Sequence, residues 1–290
     1  MTGHSPLRDA FLANRDRIAD QHGALLDPGW RSRMGTIAIF GGGIALYIAS
    51  FFLLDMSLSN LIGGFRRLAD IVGLMFPPTP ETWSRFTLYL GAIGQTLSIA
   101  FLGTLLAAVL AVPMGFLAAR NVVANRLVHL LARRSLDTIR SVDTLIWALI
   151  WINVVGLGPF AGVLAILCSD FGAFGKLMSE AIETASDKPV EGILSTGGSR
   201  FAAIRFGVVP QILPVFASQI LYYFESNTRS ATIIGIVGAG GIGLHLSELI
   251  RVLEWQQAAF VILMVLVTVA AIDQISQRLR GAIIGRRANG

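Results

Sequence analysis

Apolar residues in this chain fall into long runs separated by short polar or basic stretches, unlike the alternating or one-sided patterns of a soluble fold. The first run, 34–56, would reach about 35 Å as a helix, enough for a hydrocarbon core of roughly 30 Å. Arg31 and Arg33 precede it and Asp55 stands at its far end. The second, 88–119, is longer than one crossing needs and must tilt or project into solvent. Pro113 is expected to kink it near one end. Further on, 139–155 carries Arg140 and Asp143 near its start, and 160–178 carries Asp170. Between them Val-Gly-Leu-Gly-Pro has the composition of a tight turn, so the two runs predict a helical hairpin. Runs at 212–236 and 258–275 complete six predicted transmembrane helices, an all-α integral membrane protein.

Two patterns modify this picture. Leu58, Leu61, Ile62, Phe65, Leu68, Val72 and Met75 recur at helical spacing, with Arg66, Arg67 and Asp70 on other faces. This predicts an amphipathic helix lying in the outer interface. Phe-Pro-Pro-Thr-Pro-Glu then breaks the chain, and Trp83 is placed to anchor the second span at the headgroups. Within that span Gly103, Ala107, Ala111, Gly115 and Ala119 recur every fourth residue, a smooth stripe on which a neighbouring helix can pack closely.

Composition removes the alternatives. Of 290 residues, 54% are hydrophobic and 14% charged, where ordinary globular domains have about 25% charged. Mean hydropathy is +0.67. Intrinsic disorder and a soluble two-domain fold are excluded, and so is a disulfide scaffold, because Cys168 is the single cysteine. The net charge of +5 would suggest nucleic-acid binding in a soluble protein. Here the basic residues sort by side instead. With the N-terminus inside, eighteen Lys and Arg fall on the cytoplasmic side, four fall outside, and Arg229 lies within a span. That asymmetry predicts six crossings with both termini cytoplasmic and no nucleic-acid partner. The first 33 residues hold no apolar h-region, so no cleaved signal is read there.

The connection 179–209 is far longer than two neighbouring helices need. Two helical pieces are predicted on either side of Gly197-Gly198. The first is 189–196, with Pro189 in its first turn and Glu191 near the positive helix start. The second is capped by Ser199 and re-enters the membrane at Pro210 and Pro214. A short exposed helix ending in a sharp turn has the form of something gripped by a partner. Inside the fifth span, Glu225 and Arg229 are four apart and share a face. Ionisable groups there mark either a helix-packing ion pair or a translocation path, with Asn227 and Ser230 as further hydrogen-bonding groups. A guanidinium on such a path could bind an oxyanion in bidentate fashion.

These residues carry a resemblance. The segment 189–214 resembles the EAA loop of permease subunits of binding-protein-dependent ABC importers. Glu191 stands at the Glu position, Gly197 follows six residues on, and Val208-Val209-Pro210 matches the apolar-Pro end. Gly192 and Ile193 replace the usual two alanines. Asn227 to Gly243 (NTRSATIIGIVGAGGIG), LAARN at 117–121 and VVGLGPFAGVLA at 154–165 are similar to blocks of phosphonate-type permeases. The resemblance covers about 94–273.

It implies a five-helix type I importer core and assigns ATPase coupling to Glu191, Gly197, Gly198, Arg200 and Pro210. It also implies a dimer with a second copy or a paralogue, in a bacterial inner membrane. Two ATPase subunits would bind ATP and Mg, and a periplasmic binding protein would deliver phosphonate, phosphite or a related oxyanion. No cofactor is implied for this chain. The corresponding organisation is a cytoplasmic tail (1–33), a first transmembrane helix (34–56) and a periplasmic amphipathic helix and loop (57–86). The permease core (87–278) and a cytoplasmic basic tail (279–290) follow.

Competing motifs are weak. Gly238 to Gly243 satisfies G-x-G-x-x-G but follows a membrane helix, where a dinucleotide fold needs a strand. Asp170-Phe-Gly172 has no other kinase element beside it. His4, His22, His129 and His245 are scattered. No Walker A, H-E-x-x-H or G-x-S-x-G occurs, so the chain is not expected to be an enzyme and ATP hydrolysis would belong to another chain. An importer for methionine, sulfonate or an osmoprotectant shares the loop, while a secondary carrier would usually show internal repeats.

Overall fold

The computed structural model describes residues 13–14, 30–54, 58–123 and 125–285, and every element among them is helical. The chain falls into two units, 1–70 and 71–290. The first holds α1 (Trp30–Leu53) and most of α2 (Leu58–Leu74). In α1 the described side chains from Met34 onward are largely exposed, Ile39, Phe40 and Phe52 among them. Such a surface needs lipid around it. In α2, Ile62, Phe65 and Leu68 are exposed as well.

The second unit begins with α3 (Trp83–Ala118), capped by Thr82, whose hydroxyl accepts from the Arg85 N–H at 3.3 Å. At 36 residues it is about 54 Å long, and Pro113 is accommodated inside it. Its small-residue stripe meets α6 (Pro159–Glu183). A Cβ at Gly103 would stand 2.7 Å from Ile166, and one at Gly115 would stand 2.6 Å from Met178. Ala107 and Ala111 between them are fully buried. The stripe is therefore a packing surface, where backbone proximity supplies the dispersion contacts that hold helices together in lipid.

The third span differs from the predicted 139–155. α4 (Arg126–Arg140) and α5 (Thr144–Val155) are separate helices bent by 87°. Asp143 causes the break: its carboxylate accepts the Leu145 N–H at 2.8 Å as the N-cap of α5. With 12 residues, α5 reaches only about 18 Å and cannot span alone. α5 and α6 do form the predicted hairpin, turning through Gly156 and Gly158. Among the described residues five helices are long and apolar enough to cross a membrane, and the α4–α5 pair would make a sixth.

After α6 come α7 (Asp187–Ser195) and α8 (Arg200–Ala202), which runs through a π-helical stretch (Ala203–Val208) into α9 (Val209–Ile234). The fifth run thus starts a dozen residues before the expected 212. A second π-helical turn (Gly235–Ala239) leads to α10 (Ile242–Arg251), and α11 (Trp255–Gly285) closes the chain. One core cluster gathers Phe174, Met178, Ile182, Val208 and Ile212 near the α6–α7 corner. Another gathers Tyr89, Ile93, Ile242 and Val261 around α10.

Candidate functional site

The corner between α6 and α9 is built from local signals. Ser186 precedes α7, and Asp187 takes the first-turn place next to the helix-start N–H groups. The helix begins two residues before the predicted 189, so Glu191 sits in its second turn and not at its start. Pro189 is tolerated because first-turn N–H groups have no helical partner anyway. α7 ends in a Schellman turn: Gly197 N–H donates to the Leu194 carbonyl and Gly198 N–H to the Ile193 carbonyl, both at 3.0 Å. Gly197 has φ +82°, which favours glycine. Ser199 then caps α8 by accepting the Ala202 N–H at 3.2 Å.

Two contacts fix this corner to the span behind it. A Cβ at Gly207 would stand 3.1 Å from Val190, so α7 lies directly on the π-helical stretch. Gln211 at the start of α9 accepts the Ser186 N–H at 2.9 Å and donates to the carbonyls of Ser186 (3.0 Å) and Gly207 (2.7 Å). One amide side chain thus clips the entry of α7 to α9. Sequence reading missed Gln211, since nothing local distinguishes it from any polar residue beside Pro210. Glu191 and Arg200 are exposed, and so are Leu194, Phe206 and Phe201, the last at 72%. A cleft of about 270 Å³ opens beside them, lined by Asn121, Asp187, Leu194 and Arg200 among others. Charged and aromatic side chains around a cleft suit a protein partner.

The span residues separate into two groups. Glu225 is buried between two guanidiniums, with Arg280 of α11 at 2.8 Å and Arg229 at 3.8 Å. Arg229 also reaches Asp273 of α11 at 3.3 Å, and its side chain stays 46% exposed. Asn227 is elsewhere: it is buried and donates to Thr104 of α3 at 2.8 Å and to Asp170 of α6. Residues two apart in a helix point about 200° away from each other, so Asn227 faces the bundle interior while Arg229 faces outward. Ser230 is bonded back to the Ser226 carbonyl. Thr104, Asp273 and Arg280 were missed. For the last two a signal existed: they are ionisable and seven apart, hence on one face of the last helix.

The glycine turn before α10 is closed to phosphates. Gly241 N–H donates to Gln95 at 2.8 Å and Ile242 N–H to Thr96 at 2.9 Å, so the donors at the start of α10 are taken by α3 side chains. Gly238, Gly240 and Gly241 all have positive φ, and a Cβ at Gly241 would collide with Thr96. The G-x-G-x-x-G spacing therefore serves close packing.

Comparison with known proteins adds the family level. Residues 111–285 match the family described as binding-protein-dependent transport system inner membrane component. The putative phosphite transport system permease protein HtxC of Stutzerimonas stutzeri is 37% identical over 247 residues, 85% of this chain and 86% of that one. The phosphite transport system permease protein PtxC of the same organism is 34% identical over 280 residues, covering 97% and 98%. Among solved structures, a chain of the inward-facing MetNI methionine ABC transporter aligns with a TM-score of 0.60. It does so at 16% identity over 70% of this chain and 99% of that one, a likeness of fold.

Proposed function

This chain belongs to the family of binding-protein-dependent transport system inner membrane components, and from that premise we propose that it is the permease of an ATP-driven importer for phosphonates, phosphite or a related phosphorus oxyanion. The cargo class rests on the phosphite permeases it resembles over nearly their whole length. Importers of methionine, sulfonate or osmoprotectants share the coupling segment but find no such support among these relatives. Both termini lie in the cytoplasm, α2 lies in the outer interface, and the chain pairs with a second copy or a paralogue in a bacterial inner membrane. Two ATPase subunits carrying ATP and Mg dock on the α7–α8 corners, and a periplasmic binding protein delivers the ligand.

The observation that carries this reading is the exposed corner clipped to α9 by Gln211. From Arg200 to Ile234 the chain is helical without a break, through the π-helical stretch Ala203–Val208 into α9. A displacement of α7 and α8 by the closing ATPase pair is therefore passed along α8 and α9 to Arg229, roughly 40 Å away at 1.5 Å per residue. A half-exposed guanidinium inside a span is too costly to face hydrocarbon, so that surface borders water or protein. Arg229 already pairs with Glu225 and Asp273, so an oxyanion passing it competes with two carboxylates and is held weakly. Weak binding suits a step whose selectivity belongs to the binding protein.

The test is ATP hydrolysis in proteoliposomes holding the chain, its ATPase and a binding protein. Phosphonate- or phosphite-loaded binding protein is expected to stimulate hydrolysis, and Glu191→Lys to abolish the stimulation. An ATPase indifferent to phosphorus ligands would discard the cargo and keep the importer. Failure of the chains to associate would overturn the permease assignment.

A further inference from the structure

The reading above leaves one basic surface unused. α4 carries Arg126, Arg133, Arg134 and Arg140 and turns 87° away from α5, so its charged faces cannot lie in hydrocarbon. It sits at the same end of the bundle as the α7–α8 corner: just before it, the Arg120 N–H donates to Glu183 at 3.1 Å and Asn121 donates to the Ile182 carbonyl at 2.9 Å. One side of α4 is spent on α6. Leu136 is buried, Arg133 pairs with Glu183 at 3.1 Å, and Asp137 pairs with Lys176 at 2.9 Å. The first half of α4 is not spent in this way. Leu127, Leu130 and Leu131 are exposed along it.

At the helix start Arg120, Val123, Arg126, Leu127, His129 and Leu130 line an open cleft of about 760 Å³, within the roughly 300–1,000 Å³ of small-ligand pockets. No acidic side chain lines it. Among the described residues the guanidiniums of Arg120 and Arg126 have no carboxylate partner, in contrast to Arg133. His129 Nδ1 is buried without a hydrogen-bond partner.

We propose that this cleft binds an anionic phospholipid of the adjoining leaflet. Its phosphate lies between Arg120 and Arg126, which suit phosphate oxygens in geometry and charge. The acyl chains run along Leu127, Leu130 and Leu131. The exposed leucines decide for a lipid: a free anion would satisfy the cations and leave the apolar row in water. A bound lipid would hold α4 at the interface and, through Arg133 and Lys176, brace the end of α6 beside the coupling corner.

The test uses the purified full-length chain in mild detergent, offered equal amounts of phosphatidylglycerol and phosphatidylcholine, with retained lipid counted by mass spectrometry. The wild type is expected to retain phosphatidylglycerol preferentially and to keep it in excess inorganic phosphate. An arginine at an anionic surface contributes on the order of fivefold, so Arg120→Ala with Arg126→Ala should lower retention roughly 25-fold. The melting temperature should hold, because neither side chain supports a carboxylate of the fold. Leu127→Ser with Leu131→Ser should weaken retention of both lipids and leave the preference in place. Equal phosphatidylglycerol on the arginine double variant would overturn the proposal. Displacement by inorganic phosphate would also overturn it, in favour of a free-anion site. The measurement reads lipid on the chain alone, so it stands or falls independently of the transported cargo.

Discussion

Glu225 is held by two arginines of unequal standing. Arg280 is the nearer, at 2.8 Å, and is itself mostly buried, while Arg229 is 3.8 Å away and 46% exposed. Removing one partner of a buried pair costs about 3–5 kcal/mol, whereas a half-exposed pair contributes about 1 kcal/mol or less. Arg280→Ala is therefore expected to lower the melting temperature of the purified chain clearly, and Arg229→Ala to leave it nearly unchanged while slowing transport in proteoliposomes. Equal melting losses for the two would mean that Arg229 is a packing residue and does not border the path. The Glu225–Arg229 spacing was legible in the sequence because both residues lie on one helix face. Arg280 was not: it belongs to a helix that returns antiparallel far along the chain, and only packing puts it opposite Glu225.

Among the elements, the α7–α8 corner followed its sequence signals closely, since caps and turns are decided by residues a few positions apart. The structure changes what its two glycines mean. The loop pattern places a glycine at Gly197, yet a Cβ there meets nothing within 4 Å. What restricts Gly197 is its positive φ, which costs another residue roughly 1–2 kcal/mol. Gly198 is the crowded one: a Cβ would stand 2.7 Å from both the Ile193 side chain and its carbonyl. Gly198→Val is thus expected to reduce ligand-stimulated ATPase activity more than Gly197→Ala, measured on assembled importer at equal protein. The reverse order would show that the backbone conformation at Gly197, and not packing under the turn, sets the shape of the docking corner. The third predicted span is bent for a related reason. Averaged hydropathy over 139–155 hides Asp143, whose capping bond starts a new helix in a new direction.

For the whole molecule, the six-crossing reading commits opposite sides of the membrane to α2 and the α7–α8 corner. In a Cys168→Ser background, Lys188→Cys should react with a membrane-impermeant maleimide only once the cytoplasmic face is opened, and Arg66→Cys should react on intact cells. Labelling of both from the same side would remove one crossing between them, and the α4–α5 pair would be the first candidate because of its 87° bend.

The sequence by itself determined that the chain is helical and membrane-spanning, where its hairpin and glycine turn fall, and how the α7–α8 corner is capped and turned. Hydropathy runs, caps and glycine turns are properties of neighbouring residues, and the cost of exposing backbone to lipid leaves helices as the only outlet for such runs. Tertiary structure alone decided that Asn227 turns inward to Asp170 and Thr104 while Arg229 turns outward, and that Arg280 holds Glu225. It also decided that Gln211 ties the corner to its span and that Gln95 and Thr96 fill the glycine turn. Each of these joins separate segments of the chain, most of them far apart, through polar groups that would otherwise stand unpaired in a low-dielectric bundle.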